Sequence, residues 1–124
     1  MIATRLEAAF DSDSRRRGLL GRTAFADGSA LIIAPCSSIH MFFMQFAIDV
    51  LFVARDGRIV KVCRVVRPWR IAVSWGGFAA IELPAGTTER SGAQRGDYLK
   101  VVARASGTSV AASGDRHDGP AKRQ

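Results

Sequence analysis

Cysteine is scarce in this sequence. Cys36 and Cys63 stand 27 positions apart with no C-x-x-C pattern, which argues against a disulfide framework and for two reduced, buried thiols. The N-terminus, MIATRLEAAFDSD, lacks the basic start, the apolar block of about 7–15 residues and the small-residue cleavage site of a secretory signal, so a cytoplasmic protein is expected. Lysine is rare as well, since fifteen of the eighteen basic residues are Arg. Such a bias can arise from coding composition as readily as from a need to bind phosphate, and it permits nucleic-acid contact without proving it. Finally, Gly28 to Ile48 contains no Asp, Glu, Lys or Arg. A membrane span is nevertheless excluded there, because Pro35, Ser37, Ser38, His40 and Gln45 interrupt the run and Asp49 closes it with a charge.

What is present suits one soluble domain. The chain has 124 residues, 48% of them apolar, enough to bury roughly two-thirds of its unfolded surface in one core. Residues 105–124 are small and polar and are expected to form a disordered tail, in which His117 is solvated. That tail holds three Lys or Arg and two Asp, so +6 of the net +7 belongs to residues 1–104. A basic, monomeric domain is therefore expected over residues 1–104.

The pattern within the domain is mainly β. ALIIA (30–34), IDVLFVA (48–54), RIVKVCRVV (58–66), RIAVSW (70–75), FAAIEL (78–83) and DYLKVVA (97–103) are short, rich in β-branched residues and separated by turn residues. They predict a small antiparallel β-sandwich or barrel of six to seven strands, with no internal repeat. In VLFVARDGRIVKVC, Asp56-Gly57 predicts a two-residue type I′ hairpin. SGAQRGD (91–97) predicts a loop entering the last strand. One short N-terminal helix is expected in AAFDSDSRRRGLLGR (8–22), capped by Asp11 or Ser12, packed through Leu19 and Leu20 and stopped near Gly21. On that helix Arg15, Arg16 and Arg17 fan over roughly 200° and cannot converge on one ligand.

The densest chemistry lies in CSSIHMFFMQFAIDVLF (36–52). Cys36, His40 and Met44 recur at i, i+4 and i+8, and their donors suit copper or zinc. Along one extended strand the first and last stand about 26 Å apart, too far to share an ion unless the chain turns. Core packing is therefore expected and no metal. Cys36 and His40 are also the raw material of a thiolate–imidazolium nucleophile, which further needs an orienting group and an oxyanion hole. Asp49 and Glu82 interrupt apolar strands, where a lone charge costs several kcal/mol unless partnered, so pairing with Arg17, Arg22, Arg67 or Arg70 is expected. Arg58, Lys61, Arg64, Arg67 and Arg70 recur every third residue beside Trp69 and Trp75; on a strand that period alternates faces and makes no single basic stripe.

RRRGLLGR (15–22), CSSIHMFFMQFAIDVLFVARDG (36–57), RPW (67–69), IELPAG (81–86) and GDYLKV (96–101), in this order, resemble the DUF192 family of small bacterial and archaeal proteins, over about Ala3 to Ala103. The resemblance implies a compact, mainly β fold with a short helix near the N-terminus and no established activity. Its pattern falls on Arg17, Gly18, Leu19, Arg22, His40, Met44, Asp49, Phe52, Pro68, Glu82, Pro84, Gly86, Gly96 and Asp97. The chain departs from it at Met41, where Thr is common, and at Phe43 and Ala47, where Gly and Pro are.

Taken together, these features point to a non-enzymatic binding or accessory module with a pocket bordered by His40, Met44, Asp49, Trp69 and Glu82. Arg17, Gly18, Arg22, Phe52, Pro84, Gly86 and Asp97 are assigned to structure. No cofactor and no catalytic residue is expected, and the partner is left open. The rivals are a hydrolase-type enzyme using Cys36 and His40, and a weak nucleic-acid binder using the arginines with Trp69.

Overall fold

A computed structural model describes residues 2–11, 19, 21–104 and 107–113. Among these residues nine strands and one helix follow each other: β1 Arg5–Ala9, β2 Ser29–Ile33, β3 Ser38–His40, β4 Ile48–Val53, β5 Ile59–Val66, β6 Ile71–Val73, β7 Ala79–Pro84, α1 Thr87–Ser91, β8 Tyr98–Arg104 and β9 Gly107–Ser113. Five strands form a central sheet in the order β1-β2-β7-β4-β5, while β3 pairs with β6 and β8 with β9 as two-stranded ribbons. The sheets are open and form no closed barrel among the described residues. The strand count exceeds the six to seven expected, and β1 runs parallel to β2 where an all-antiparallel arrangement was expected. Of the segment 8–22 in which an N-terminal helix was expected, residues 12–18 and 20, with Arg17 and Gly18, lie outside the described residues; Ala8 and Ala9 belong to β1 and Leu19 is buried in the core of one face.

Both central strands, β4 and β7, are buried at every position. That is why their sequences read as unbroken apolar runs rather than as alternating ones. Alternate side chains feed two cores. Leu31, Ile33, Ile48, Val50, Phe52 and Ala80 meet Ile39, Met41, Met44 and Ala72 on one face. On the other, Leu51, Val53, Ile59, Ile81 and Leu83 meet Ile2, Ala93 and Val110. The β3–β6 ribbon and its loops thus cover the first face. The second is covered by the segment after α1 and by the β8–β9 hairpin.

The hairpin between β4 and β5 forms as expected, but its turn is of another type. Only Gly57 has positive φ, +89°. The Gly57 N–H donates to Ala54 O and the Ala54 N–H to Arg58 O, both at 2.9 Å. Arg55, Asp56 and Gly57 therefore make a three-residue loop closed by a glycine bulge, and the two-residue type I′ turn is corrected. Asp56 prefers this arrangement because its carboxylate accepts the Arg58 N–H at 3.1 Å.

The disordered tail expected from Ala105 is corrected as well, since β9 pairs with β8 along its length from Tyr98↔Ser113 to Arg104↔Gly107. Its weak composition is offset by one anchor: Val110 is 1% exposed and its carbonyl accepts the Ile2 N–H at 2.8 Å. Residues 114–124 lie outside the described residues. Strands β1 and β3 and helix α1 were not legible, being short and lacking strong periodicity.

Gly57 supports the hairpin twice. Its positive φ disfavours any side chain, and a Cβ there would lie 3.0 Å from Leu99 O, whose own N–H donates to Gly57 O at 2.9 Å. Gly57→Val is expected to cost about 2 kcal/mol or more, read as a lowered urea midpoint at unchanged slope. An unchanged midpoint contradicts this account of the turn.

Candidate functional site

The β3–β6 ribbon carries two loops, 41–47 and 67–70, that are tied together through Met41. Its N–H donates to Arg70 O and its carbonyl accepts the Trp69 N–H, each at 2.7 Å; the Met44 N–H reaches the same carbonyl at 3.3 Å. Met41 and Met44 are buried beneath the loops as anchors in the first core, the gap-filling use expected of methionine. Above them the aromatic side chains turn outward. Phe43 is 73% exposed and Trp69 59% exposed, their rings packed edge to face with centroids 4.8 Å apart. Phe42 lies 5.9 Å from Trp69 and stacks on His40 at 5.0 Å. Ile71, opposite His40 in the ribbon, extends the patch.

Phe43 and Trp69 sit at φ +65° and +69°. Left-handed backbone at large non-glycine residues is sparsely populated and costs on the order of 1 kcal/mol or more each. The Gly that the family resemblance puts at position 43 takes this conformation without strain. In this chain a phenyl ring stands there instead, directed at solvent.

Asp49 faces the opposite side of the sheet and is fully buried. The arginine partner expected for it is corrected. Its Oδ1 accepts the Val65 N–H at 2.8 Å, and its Oδ2 accepts the N–H groups of Gly86 and Thr88 and the Thr88 hydroxyl at 2.9–3.1 Å. These partners are backbone groups that strand and turn geometry left unsatisfied. In β5, Arg64 and Val65 together oppose Asp49 in a bulge, with Val65 at φ +53°. In the β7–α1 turn, Gly86 takes φ +91° at the helix start. The carboxylate therefore holds two irregular backbones at once, which identifies Asp49 as structural.

Glu82 occupies the first face, between Leu31 of β2 and Val50 of β4, and is 4% exposed. Burial pushes its carboxyl up to about 7, against a smaller opposing pull from Arg22. Arg22 itself grips Glu7 through both carboxylate oxygens at 2.9 Å, and that hydrogen bonding holds Glu7 below the usual carboxylate range. The arginine expected for Glu82 is thus committed chiefly to Glu7 and reaches Glu82 by its field.

The five residues assigned to one pocket accordingly separate. His40, Met44 and Trp69 gather at the aromatic end, Met44 beneath it, whereas Asp49 and Glu82 lie on opposite faces of the sheet. Residues 36–52 are core at Ile39, Met41, Met44 and 48–52, but His40, Phe42 and Phe43 are exposed, so the core packing expected of this stretch holds for only part of it. Phe52 and Pro84 are buried in the sheet. Asp97 is also buried, its Oδ2 accepting the Gln94 N–H at 3.2 Å, and Gly96 takes φ +97° in the same turn. The Cys36 thiol donates to Ser38 O at 3.1 Å, while the His40 ring lies on Phe42. Burial pushes the Cys63 thiol up. No group of three or more His, Cys, Asp or Glu able to hold a metal ion is found among the described residues. No helix among them is long and apolar enough to cross a membrane. Of the basic series, Lys61 donates to Val73 O at 2.6 Å and Arg64 to Thr88 Oγ1 at 3.2 Å, so the series does not gather with Trp69.

A cavity of about 220 Å³ escaped the sequence because its walls come from strands far apart in the chain. It lies between the central sheet and the β8–β9 hairpin, lined by Phe10, Ile32, Phe78, Leu99 and Val110 among others, with Arg55 beside it.

Two stability measurements check these assignments. Asp49→Ala leaves three N–H groups and a hydroxyl without their acceptor and is expected to cost more than about 3 kcal/mol, with Asp49→Asn costing less; a loss below about 1 kcal/mol for the alanine variant refutes the structural role. Glu82, with a folded value of about 7 against 4.5 for the free side chain, favours folding when protonated. That contribution is complete below pH 4.5 and is lost as pH rises through 7. Urea midpoints of the parent should show it as a decline on the order of 3 kcal/mol over that interval. Glu82→Gln should remove this decline, and an identical pH profile in the variant contradicts the assignment.

Comparison with known proteins bears on the whole domain. A UPF0127 protein from Thermococcus sibiricus is 44% identical over 64 residues, which are 51% of this chain and 41% of that protein; the match thus spans less than half of that relative's length. A Sinorhizobium meliloti protein provisionally named a transcription regulator has a crystal structure that superposes with a TM-score of 0.68 at 24% identity, covering 86% of this chain and 80% of its own. A protein of unknown function from Novosphingobium aromaticivorans gives 0.67 at 22% identity, covering 85% and 72%. At these identities the two structures establish the likeness of fold alone. The family DUF192, described as an uncharacterized ACR, matches residues 2–101, and the chain belongs to that family.

Proposed function

We propose that this chain is a non-enzymatic binding module whose working surface is the aromatic end, and that its partner is a protein. One observation carries the reading: Phe43 and Trp69 are held outward on strained, left-handed backbone above buried methionine anchors, where the strain secures no burial. With Phe42, Ile71 and the exposed Arg67 and Arg70 nearby, the patch has the composition of a protein-binding hot spot, rich in aromatic side chains and arginine. The thiol–imidazole reading receives less support, since the Cys36 thiol is directed to a carbonyl and His40 is stacked on Phe42.

A second reading, single-stranded nucleic acid, draws on Trp69 standing between Arg67 and Arg70, which suits stacking with phosphate contacts. It is weaker because Lys61 and Arg64 are engaged elsewhere.

A photo-crosslinking residue in place of Phe43, used in living cells, tests both. The expected result is a protein adduct of one defined mass that disappears with Trp69→Ser and is absent when the same probe replaces the exposed Arg95. No adduct, or one that survives Trp69→Ser, overturns the proposal; an adduct removed by nuclease transfers the surface to the second reading.

A further inference from the structure

The cavity beneath the β8–β9 hairpin lies on the opposite face of the sheet from the aromatic patch and is not used by the function proposed above. Its lining is almost entirely apolar: Ile32 and Ile81 from the sheet floor, Phe10 and Phe78 along the sides, Leu99 and Val110 from the hairpin. At about 220 Å³ it falls below the roughly 300–1,000 Å³ of sites for drug-sized ligands. A short acyl chain or a single ring fits, whereas a nucleotide does not. One cation stands in this lining. The Arg55 guanidinium lies 4.2 Å above the centre of the Phe78 ring, and no carboxylate pairs with it among the described residues. Arg55 also borders a wider, shallower depression with Asp56, Trp75 and Gly76, so it stands where the apolar cavity opens to water.

We infer that this cavity is a binding site for a small carboxylate-bearing amphiphile, its apolar chain inserted between the sheet and the β8–β9 hairpin and its single negative charge on Arg55. The stacked guanidinium keeps its in-plane N–H donors available, the arrangement that suits bidentate recognition of a carboxylate. The Asp56 carboxylate in the outer depression opposes a second negative charge, so a phosphate monoester is disfavoured. The lining supplies the affinity: each buried methylene tightens binding about fourfold until the chain outgrows the cavity.

Titration of the full ¹⁵N-labelled chain with sodium hexanoate and sodium octanoate, both below their aggregation concentrations, tests this. Saturable amide shifts centred on Val53, Ala54, Phe78, Leu99 and Val110 are expected, with octanoate the tighter ligand. Arg55→Gln should weaken octanoate about tenfold or more while leaving 1-octanol unchanged, and Ala54→Leu, which fills the cavity, should abolish both. The proposal fails if there is no saturable shift or if the shifts centre on Phe42, Phe43 and Trp69. It fails equally if Arg55→Gln binds octanoate like the parent. Shifts at the cavity residues that follow protein concentration alone assign the cavity to a second copy of the chain and also overturn it.

Discussion

A single buried carboxylate sets the terms for the rest of this fold. Asp49 sits at the start of the central strand β4, where an unsatisfied charge would be prohibitively expensive, and it is tolerated because four donors converge on it. The dependence is mutual. The bulge in β5, the left-handed turn at Gly86 and the first turn of α1 each leave N–H groups that the sheet ladder cannot satisfy, and Asp49 accepts one from each, those of Val65, Gly86 and Thr88. Without it, β5 would have no reason to kink at Val65 and α1 would lack a fixed position against the sheet. The short helix therefore depends on tertiary contact rather than on its own five residues, which are far too few to be stable alone.

That dependence explains which parts of the structure were legible in the sequence. The six strands read correctly are those whose β-branched runs are bounded by turn residues, and β4 and β5 carry the strongest pattern. Helix α1 escaped because its cap is supplied by a residue 37 positions away from Gly86. Strand β9 escaped because GTSVAAS is poor in side chains that reward a sheet; its order comes from backbone pairing and from Val110 and Ala112, which pack on the second core. The hairpin at Asp56-Gly57 was found but its turn mistyped, since Asp-Gly suits the two-residue type I′ turn as well as the end of a three-residue loop whose last residue is a left-handed glycine.

The candidate site divides along similar lines. Asp49 and Glu82 could be singled out as costly charges in apolar strands, yet sequence does not say which face each side chain takes. Adjacent strands β4 and β7 place the two on opposite faces, separating residues that sequence reasoning had joined. His40 and Trp69, 29 positions apart in the chain, lie at the same end because the ribbon brings β3 against β6. The exposure of Phe42 and Phe43 was not foreseeable from their apolar character, which ordinarily signals the core. Here the buried role passes to Met41 and Met44, the residues on either side of them.

The contact between Ile2 and Val110 has a consequence for the birth of the protein. The chain's second residue finds its hydrogen-bond acceptor 108 positions later, and β2 must wait for β7 before it gains a neighbour in the middle of the sheet. During synthesis the early strands therefore emerge from the ribosome with their apolar faces uncovered, and the second core closes only once β9 has been made. Such non-local wiring slows folding and lengthens the period in which nascent edges are open to the wrong partners. The second core thus cannot be completed from any one stretch of the chain, since it draws Ile2 and Val110 onto the same face of the sheet.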